Sequence, residues 1–187
     1  MAAAWRAAAP FPHLVLDDVV EPERQDELMA IVDDEPAHAY EGEIFRFDAT
    51  APEPTTAAFR ALRDDFAATF APALARITGK AVARVDMRGF AYGAGHYLLP
   101  HTDHQDGLGR AIAYACYLPT AVPPAGGELE LFRCTHDGRE LTETEPALTI
   151  APRPGRLAIF DVSLVSLHQV REVLRGLRLS LAGWFYP

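Results

Sequence analysis

The stretch GLRLSLAGWF, residues 176–185, is built on a period of two. Successive side chains of an extended strand point to opposite faces, so Arg178, Ser180, Ala182 and Trp184 share one face. A guanidinium on the inner face of a strand is costly to bury without an anion beside it. The stretch therefore predicts a β-strand and an anionic partner for Arg178. Similar segments precede it: VDMRGFAY (85–92), AIAYACYL (111–118), GELELF (127–132), ALTIA (147–151), RLAIF (156–160) and HQVREV (168–173). They are short, rich in apolar, β-branched or aromatic residues, and punctuated by Gly and Pro, which is the pattern of an all-β sandwich or barrel. A double-sheet jelly roll suits them because it limits exposed strand edges.

Upstream of Lys80 the character is helical. A short strand at HLVLDD (13–18) precedes a helix over about residues 22–33, opened by Pro22, with Leu28, Ile31 and Val32 on one face. The strongest helical pattern covers about 54–77. There Phe59, Leu62, Phe66, Phe70, Leu74 and Ile77 recur at helical spacing, Pro72 is placed to bend the helix, and Gly79 closes it. Residues 34–52, rich in Pro, Asp, Glu and Ala, read as a loop with a short strand at EIFRF. The Ala-rich start, MAAAWRAAAP, reads as a loosely ordered tail. Helices first and strands after give an α+β domain. The expectation is one domain over 1–187, with helical support in 1–80 and a jelly-roll core in 84–187.

The composition narrows the function classes. About half of the 187 residues are hydrophobic, enough for one real core. A formal net charge of −9 argues against a nucleic-acid partner, which needs clustered Lys and Arg. No apolar run reaches the roughly 18 residues that span a bilayer, and the first residues lack the apolar region of a secretion signal. Cys116 and Cys134 form no CxxC pattern and suggest neither a disulfide framework nor a four-cysteine zinc site. A reduced, cytoplasmic setting fits.

The segment YLLPHTDHQD, 97–106, carries the chemistry. On an extended chain, His101 and Asp103 point to the same side and can offer an imidazole and a carboxylate to one ion. His168, in SLHQV, is the best third ligand. Two neutral imidazoles and one carboxylate form the facial triad of non-haem Fe(II) oxygenases, which leaves coordination positions open. Spacing alone does not choose the register, because His104 and Asp106 repeat the pattern. Arg178 lies ten residues beyond His168, room for a turn and a return strand alongside it.

The chain resembles the prolyl 4-hydroxylase-like branch of the 2-oxoglutarate/Fe(II) dioxygenases. The resemblance rests on YGAGHYLLPHTD (92–103), Arg110, CYLP (116–119), GGELELF (126–132), PRPGRLAIF (152–160), LHQV (167–170) and GLRLSLAGWF (176–185), in the family's order. It implies a double-stranded β-helix and selects His101 and Asp103 over His104 and Asp106. It further implies that His101, Asp103 and His168 hold the iron and that Arg178 binds the C5 carboxylate of 2-oxoglutarate. Tyr117, and Tyr92 through a gapped match, are implied as further contacts to the co-substrate. Arg175 is the fallback anchor, while His96, His104 and Asp106 border the site.

The implied reaction couples decarboxylation of 2-oxoglutarate, with O2, to hydroxylation of a substrate carbon, with ascorbate as a candidate accessory reductant. Related halogenases carry a small residue at the position of Asp103, so the carboxylate implies hydroxylation, with desaturation or ring closure, which start with the same abstraction, as the open alternatives. Prolyl or other residues in a peptide or protein are the favoured substrates. A free or carrier-bound amino acid, or another small molecule, is the alternative. A non-catalytic jelly-roll binding module is the alternative from another class. The segments 34–52 and 133–146 are the expected substrate-reading loops.

Overall fold

The computed structural model describes residues 1–138 and 140–187. Its N-terminal part comprises α1 (Ala2–Ala7), β1 (His13–Leu16), α2 (Pro22–Asp34), β2 (Ala37–Glu41), β3 (Phe45–Thr50) and α3 (Ala57–Thr78). Strands follow: β4 (Arg84–Val85), β5 (Arg88–Tyr92), β6 (Tyr97–His101), β7 (Ile112–Leu118), β8 (Ala125–Gly126), β9 (Leu129–His136), β10 (Leu141–Ile150), β11 (Leu157–Asp161), β12 (His168–Val170), β13 (Val173–Arg175) and β14 (Arg178–Tyr186).

Twelve of these strands form one antiparallel sheet in the order β1-β11-β7-β14-β5-β3-β6-β12-β9-β10, with β2 on β3 and β4 on β14. The sheet curls on itself. Ala113, Ala115 and Tyr117 of β7 share a buried cluster with Leu129 and Leu131 of β9 and Ile150 of β10, although β7 lies far from β9 and β10 in strand order. A strand-rich antiparallel sheet curled in this way is a double-stranded β-helix, as the strand pattern predicts.

The other face of the same strands packs on the helices. Ile112, Tyr114, Cys116 and Leu118 of β7, with Leu179, Leu181 and Phe185 of β14, join Phe59 and Leu74 of α3 in a second buried cluster. The β7 segment is therefore covered on both faces. This explains why AIAYACYL is continuously apolar, where a half-exposed strand would alternate. Phe66 of α3 stacks on Tyr114 and Phe185, with ring centroids 4.7 and 5.8 Å apart. Burying one such ring contributes about 1.5–3 kcal/mol.

The helix ends have identifiable causes. Thr56 caps α3 by accepting the Phe59 N–H, and Gly79 closes it in the left-handed region at φ 74°. Pro72 sits inside α3, removing one donor without ending the helix. Glu35, just past α2, accepts the N–H and hydroxyl of both Thr55 and Thr56 at 2.5–2.9 Å. One buried carboxylate thus ties the end of α2 to the start of α3.

Four expectations need correction. The start of the chain is a helix, α1, held because Trp5 is only 3% exposed and packs in the cluster beneath the helices. Residues 34–52, expected as a loop with one short strand at EIFRF, form a hairpin, β2–β3, in which the expected strand is β3 and inserts between β5 and β6. The Asp, Glu and Pro content concealed its partner β2 and the continuation of β3 to Thr50. Residues 133–146 belong largely to the β9–β10 hairpin. Their exposed Thr and Glu side chains carry no apolar alternation, and backbone pairing extends the strands past the core. Finally, β14 does not run beside β12. β13 diverts to pair with β8, Gly176 turns the chain at φ 74°, and β14 enters between β7 and β5.

Among the described residues, no helix is long and apolar enough to cross a membrane.

Candidate metal centre and anion pocket

Strand pairing brings the two imidazoles together. β6 and β12 are antiparallel neighbours with His101 directly opposite His168, and their ring centroids lie 4.3 Å apart. Each ring is oriented in the same way. The Nδ1 of His101 lies 2.9 Å from the Leu99 carbonyl, and that of His168 lies 2.9 Å from the Ser166 carbonyl. A carbonyl only accepts, so Nδ1 carries the proton and Nε2 keeps its lone pair.

Asp103 follows two residues after His101. Its Oδ1 is 3.6 Å from His101 Nε2 and its Oδ2 is 3.6 Å from His168 Nε2. Donor atoms from the three side chains lie within 4.8 Å of one another.

The electrostatics suit a cation. Burial pushes the Asp103 carboxyl upward, but His168 and His101 outweigh it and bring its pKa to about 2. Burial drives His168 down to about 4, so its imidazole is neutral near pH 7. For His101, burial acts downward but the hydrogen bond and charge of Asp103 dominate, and its pKa is raised. Two imidazole nitrogens and one carboxylate fit a divalent transition metal with open coordination positions. The second copy of the pattern, His104 and Asp106, is exposed on the turn after β6 and outside the cavity wall.

A cavity of about 340 Å³ runs from these three groups to Arg178. Arg178 is 3% exposed. In register it faces Tyr92 across β5, and Ser180 faces Tyr117 across β7. The guanidinium carbon is 4.8 Å from the Tyr92 ring centroid and 5.0 Å from that of Tyr117. Arg178 Nη1 donates to Ser180 Oγ at 3.2 Å. Arg178 Nε and Tyr117 Oη are both buried without a partner. Buried polar groups are ordinarily satisfied, so an unspent guanidinium donor beside an unspent hydroxyl fits an anionic oxygen ligand.

Gly127 keeps that end open. Its φ is 74°, and a Cβ there would meet Val173 Cγ2 at 2.8 Å and Arg178 Cδ at 3.1 Å. Tyr92 lines the cavity, and burial pushes its pKa up to about 12, so it stays a protonated donor. Tyr117 is not itself among the lining residues, but its ring centroid lies 5.0 Å from the Arg178 guanidinium carbon.

Other placements differ from the sequence reading. His96 lies outside the lining, and Arg175 is exposed on β13. Ile44, Phe45 and Phe47 of the β2–β3 hairpin line the cavity, in the 34–52 segment expected to read substrate, whereas Arg88 lines it without having been anticipated. The alternation of Arg88, Phe90 and Tyr92 in VDMRGFAY was the available signal for Arg88. Arg110 stacks over Trp184, 3.6 Å from its ring centroid.

A family model described as the 2OG-Fe(II) oxygenase superfamily matches residues 87–186. The prolyl 3-hydroxylase OGFOD1 of Xenopus laevis is 35% identical over 131 residues, covering 68% of this chain and 25% of that protein. The chain thus spans about a quarter of the length of that relative. A Pseudomonas putida prolyl-4-hydroxylase superposes with a TM-score of 0.72 at 20% identity, covering 99% of this chain and 97% of the other. A Trichoplax adhaerens prolyl hydroxylase, solved with a hypoxia inducible factor oxygen degradation domain peptide fragment, gives 0.70 at 14% identity, covering 99% and 86%. At such identities these two structures speak for the fold.

Proposed function

Because the chain belongs to the 2OG-Fe(II) oxygenase superfamily, we propose that it hydroxylates an aliphatic carbon of a prolyl or other amino-acid residue in a peptide or protein. Fe(II), 2-oxoglutarate and O2 are the reagents of that family. In this reading His101, Asp103 and His168 hold the iron, Arg178 receives the C5 carboxylate of 2-oxoglutarate, and Tyr117 and Tyr92 add hydroxyl contacts. One observation carries it. The three donor groups and the unspent Arg178 donor share a single cavity.

Bound iron supplies, with 2-oxoglutarate and O2, the oxidising power that attacks an unactivated C–H bond. The protein's own part is positional. The Leu99 and Ser166 carbonyls fix both imidazoles in one tautomer. Asp103 stays ionised across the working pH range. Arg178 can grip a carboxylate as a fork. Leu98, Leu129, Phe160 and Val170 give the cavity apolar walls that limit water.

The peptidyl substrate is supported by the similarity to the Xenopus laevis prolyl 3-hydroxylase and by the peptide fragment in the Trichoplax adhaerens prolyl hydroxylase structure. A reduced, cytoplasmic setting is supported by the free thiols of Cys116 and Cys134.

The test is to incubate the protein with Fe(II), 2-oxoglutarate, ascorbate and proline-containing peptides. Succinate should appear together with a peptide that has gained one oxygen. Absence of succinate under every substrate, from protein that binds neither iron nor 2-oxoglutarate, would overturn the reading in favour of a binding module.

A further inference from the structure

Three guanidiniums and one carboxylate line the cavity: Arg88, Arg110, Arg178 and Asp103. Under the function proposed above, on which this inference rests, Arg178 meets the C5 carboxylate of the co-substrate. Asp103 and the other co-substrate carboxylate balance the metal dication. Arg88 and Arg110 remain as surplus positive charge, in a chain whose formal net charge is −9.

The two are held differently. Arg110 leans on Trp184 and reaches the Asp103 backbone carbonyl at 3.4 Å. Arg88 is built into the wall. Its Nε donates to the Thr50 carbonyl at 2.7 Å, and its guanidinium carbon lies 4.8 Å from the Tyr40 ring centroid and 5.1 Å from that of Phe90. The Thr50 hydroxyl also accepts the Gly89 N–H at 3.0 Å. Among the described residues no carboxylate pairs with Arg88, and its Nη2 is buried without a partner. An arginine free to choose would turn its fork to water. This one is ordered by two rings and a carbonyl, with donors unspent.

Its position separates it from the co-substrate anchor. Arg88 pairs with Ala182 and Tyr92 pairs with Arg178. Four residues of strand put the root of Arg88 about 13 Å from the Arg178 layer, at the other end of the same inward face.

We infer that Arg88 determines specificity by receiving a carboxylate carried by the substrate. That carboxylate has two sources: an Asp or Glu side chain flanking the oxidised residue in a peptide, or the α-carboxylate of a free or C-terminal amino acid. Both meet the guanidinium as a fork.

Binding to Mn(II)-loaded protein with 2-oxoglutarate, measured calorimetrically, tests this without turnover. The probes are N-acetylated, C-amidated proline-centred pentapeptides with Glu, Gln or Lys beside the proline, N-acetylproline and its amide, and L-proline. Wild type should favour a carboxylate-bearing probe over its neutral counterpart by about tenfold, as one charge-assisted pair provides. A preference for Glu over Gln assigns the flanking side chain, and a preference for N-acetylproline over its amide assigns the α-carboxylate. Arg88→Gln should erase the preference, and Arg88→Glu should turn it toward the Lys peptide. The affinity for 2-oxoglutarate should stay within about twofold of wild type, because the pair removed here lies outside the co-substrate's own contacts.

The inference is overturned if wild type binds all probes alike or none, if the preference survives Arg88→Gln, or if that variant loses 2-oxoglutarate instead. Should Arg88→Gln fail to fold, Arg88→Lys carries the test. A preference reduced but kept supports the role, and one unchanged from wild type overturns it. Protein that binds no 2-oxoglutarate at all defeats the oxygenase reading. Protein that binds it yet ignores substrate charge defeats only the role of Arg88.

Discussion

The chain contains one tripeptide pattern twice in six residues, His101-Thr102-Asp103 and His104-Gln105-Asp106. Within each copy the imidazole and carboxylate are almost equally close, at 3.6 and 3.5 Å. Their surroundings could hardly differ more. The Asp103 side chain is 8% exposed and faces a second imidazole, whereas that of Asp106 is fully exposed and faces only its own. The first copy lies at the end of β6, where pairing with β12 delivers His168. The second lies just beyond it, where, among the described residues, no strand returns. Spacing thus makes a pair, and strand register makes a site. The same contrast recurs in Arg178 against Arg175, and in Glu35 against Asp17.

The largest effect should separate the two copies. His101→Ala and Asp103→Ala are expected to reduce succinate formation to background and to lose bound Fe(II), since each would remove one of the three proposed ligands. His104→Ala and Asp106→Ala should leave turnover within about twofold, as exposed substitutions do. Metal content and succinate release, measured on the same four variants, would break the comparison if the second pair proved the damaging one.

The arginines come next. Losing a buried charge-assisted pair costs about 1.5–3 kcal/mol, or one to two decades in affinity. Arg178→Ala should therefore raise the 2-oxoglutarate requirement by about 10- to 100-fold while iron binding persists. Arg178→Lys should rescue it incompletely, because a point charge cannot reproduce the fork. Arg175 is exposed on β13, and its replacement by Ala should leave the requirement within about twofold. Titrating 2-oxoglutarate against the three variants sharpens or breaks the pairing.

Legibility in the sequence followed burial. AIAYACYL announced a strand because both faces of β7 are covered by protein. His101 and Asp103 were legible as a pair from their spacing, and Arg178 from the cost of burying a cation. His168 was legible only as the best third ligand and the choice of register came from resemblance, because the β6–β12 pairing joins segments far apart in the chain. Of the β2–β3 hairpin only the short strand at EIFRF was legible, because its outer face is charged and exposed. Trp5 was hidden in an alanine tract, since one buried ring leaves no periodicity. For Arg88, the alternation with Phe90 and Tyr92 offered its face of the strand but not its surroundings. What holds it is Thr50, 38 residues away, and Tyr40, on a strand, β2, that itself went unread.

Glu35 sharpens the contrast for stability. It is 3% exposed and accepts four hydrogen bonds from Thr55 and Thr56. Glu35→Ala should cost about 2–3 kcal/mol, read by urea unfolding, and Glu35→Gln should lose less because the shape survives. Burial raises the Glu35 carboxyl, yet the hydrogen bonds from the two threonines outweigh it and the folded-state pKa is lowered. A lowered value stabilises the fold above the ordinary carboxylate range and loses that contribution as pH falls through the range. Wild type should therefore lose stability on acidification more steeply than Glu35→Gln.

Asp17 supplies the smallest effect. Its carboxylate meets Arg156 in a fork, at 2.6 Å to Nε and 2.9 Å to Nη2. The hydrogen bond from that guanidinium lowers the Asp17 pKa. The geometry is as good as that of a buried pair, but half of the Asp17 side chain is exposed. Water and salt compete there for both partners, so the net gain is small and screened. Asp17→Asn should shift the urea midpoint less than Glu35→Gln, and the shift should shrink further in high salt. Arg156→Ala should cost more than Asp17→Asn, because Arg156 also donates to the Ala151 carbonyl at 3.1 Å. An Asp17 effect equal to that of Glu35, and insensitive to salt, would show that the fork at β1 and β11 acts as a closed pair, and burial would lose its place as the quantity that sorts these carboxylates.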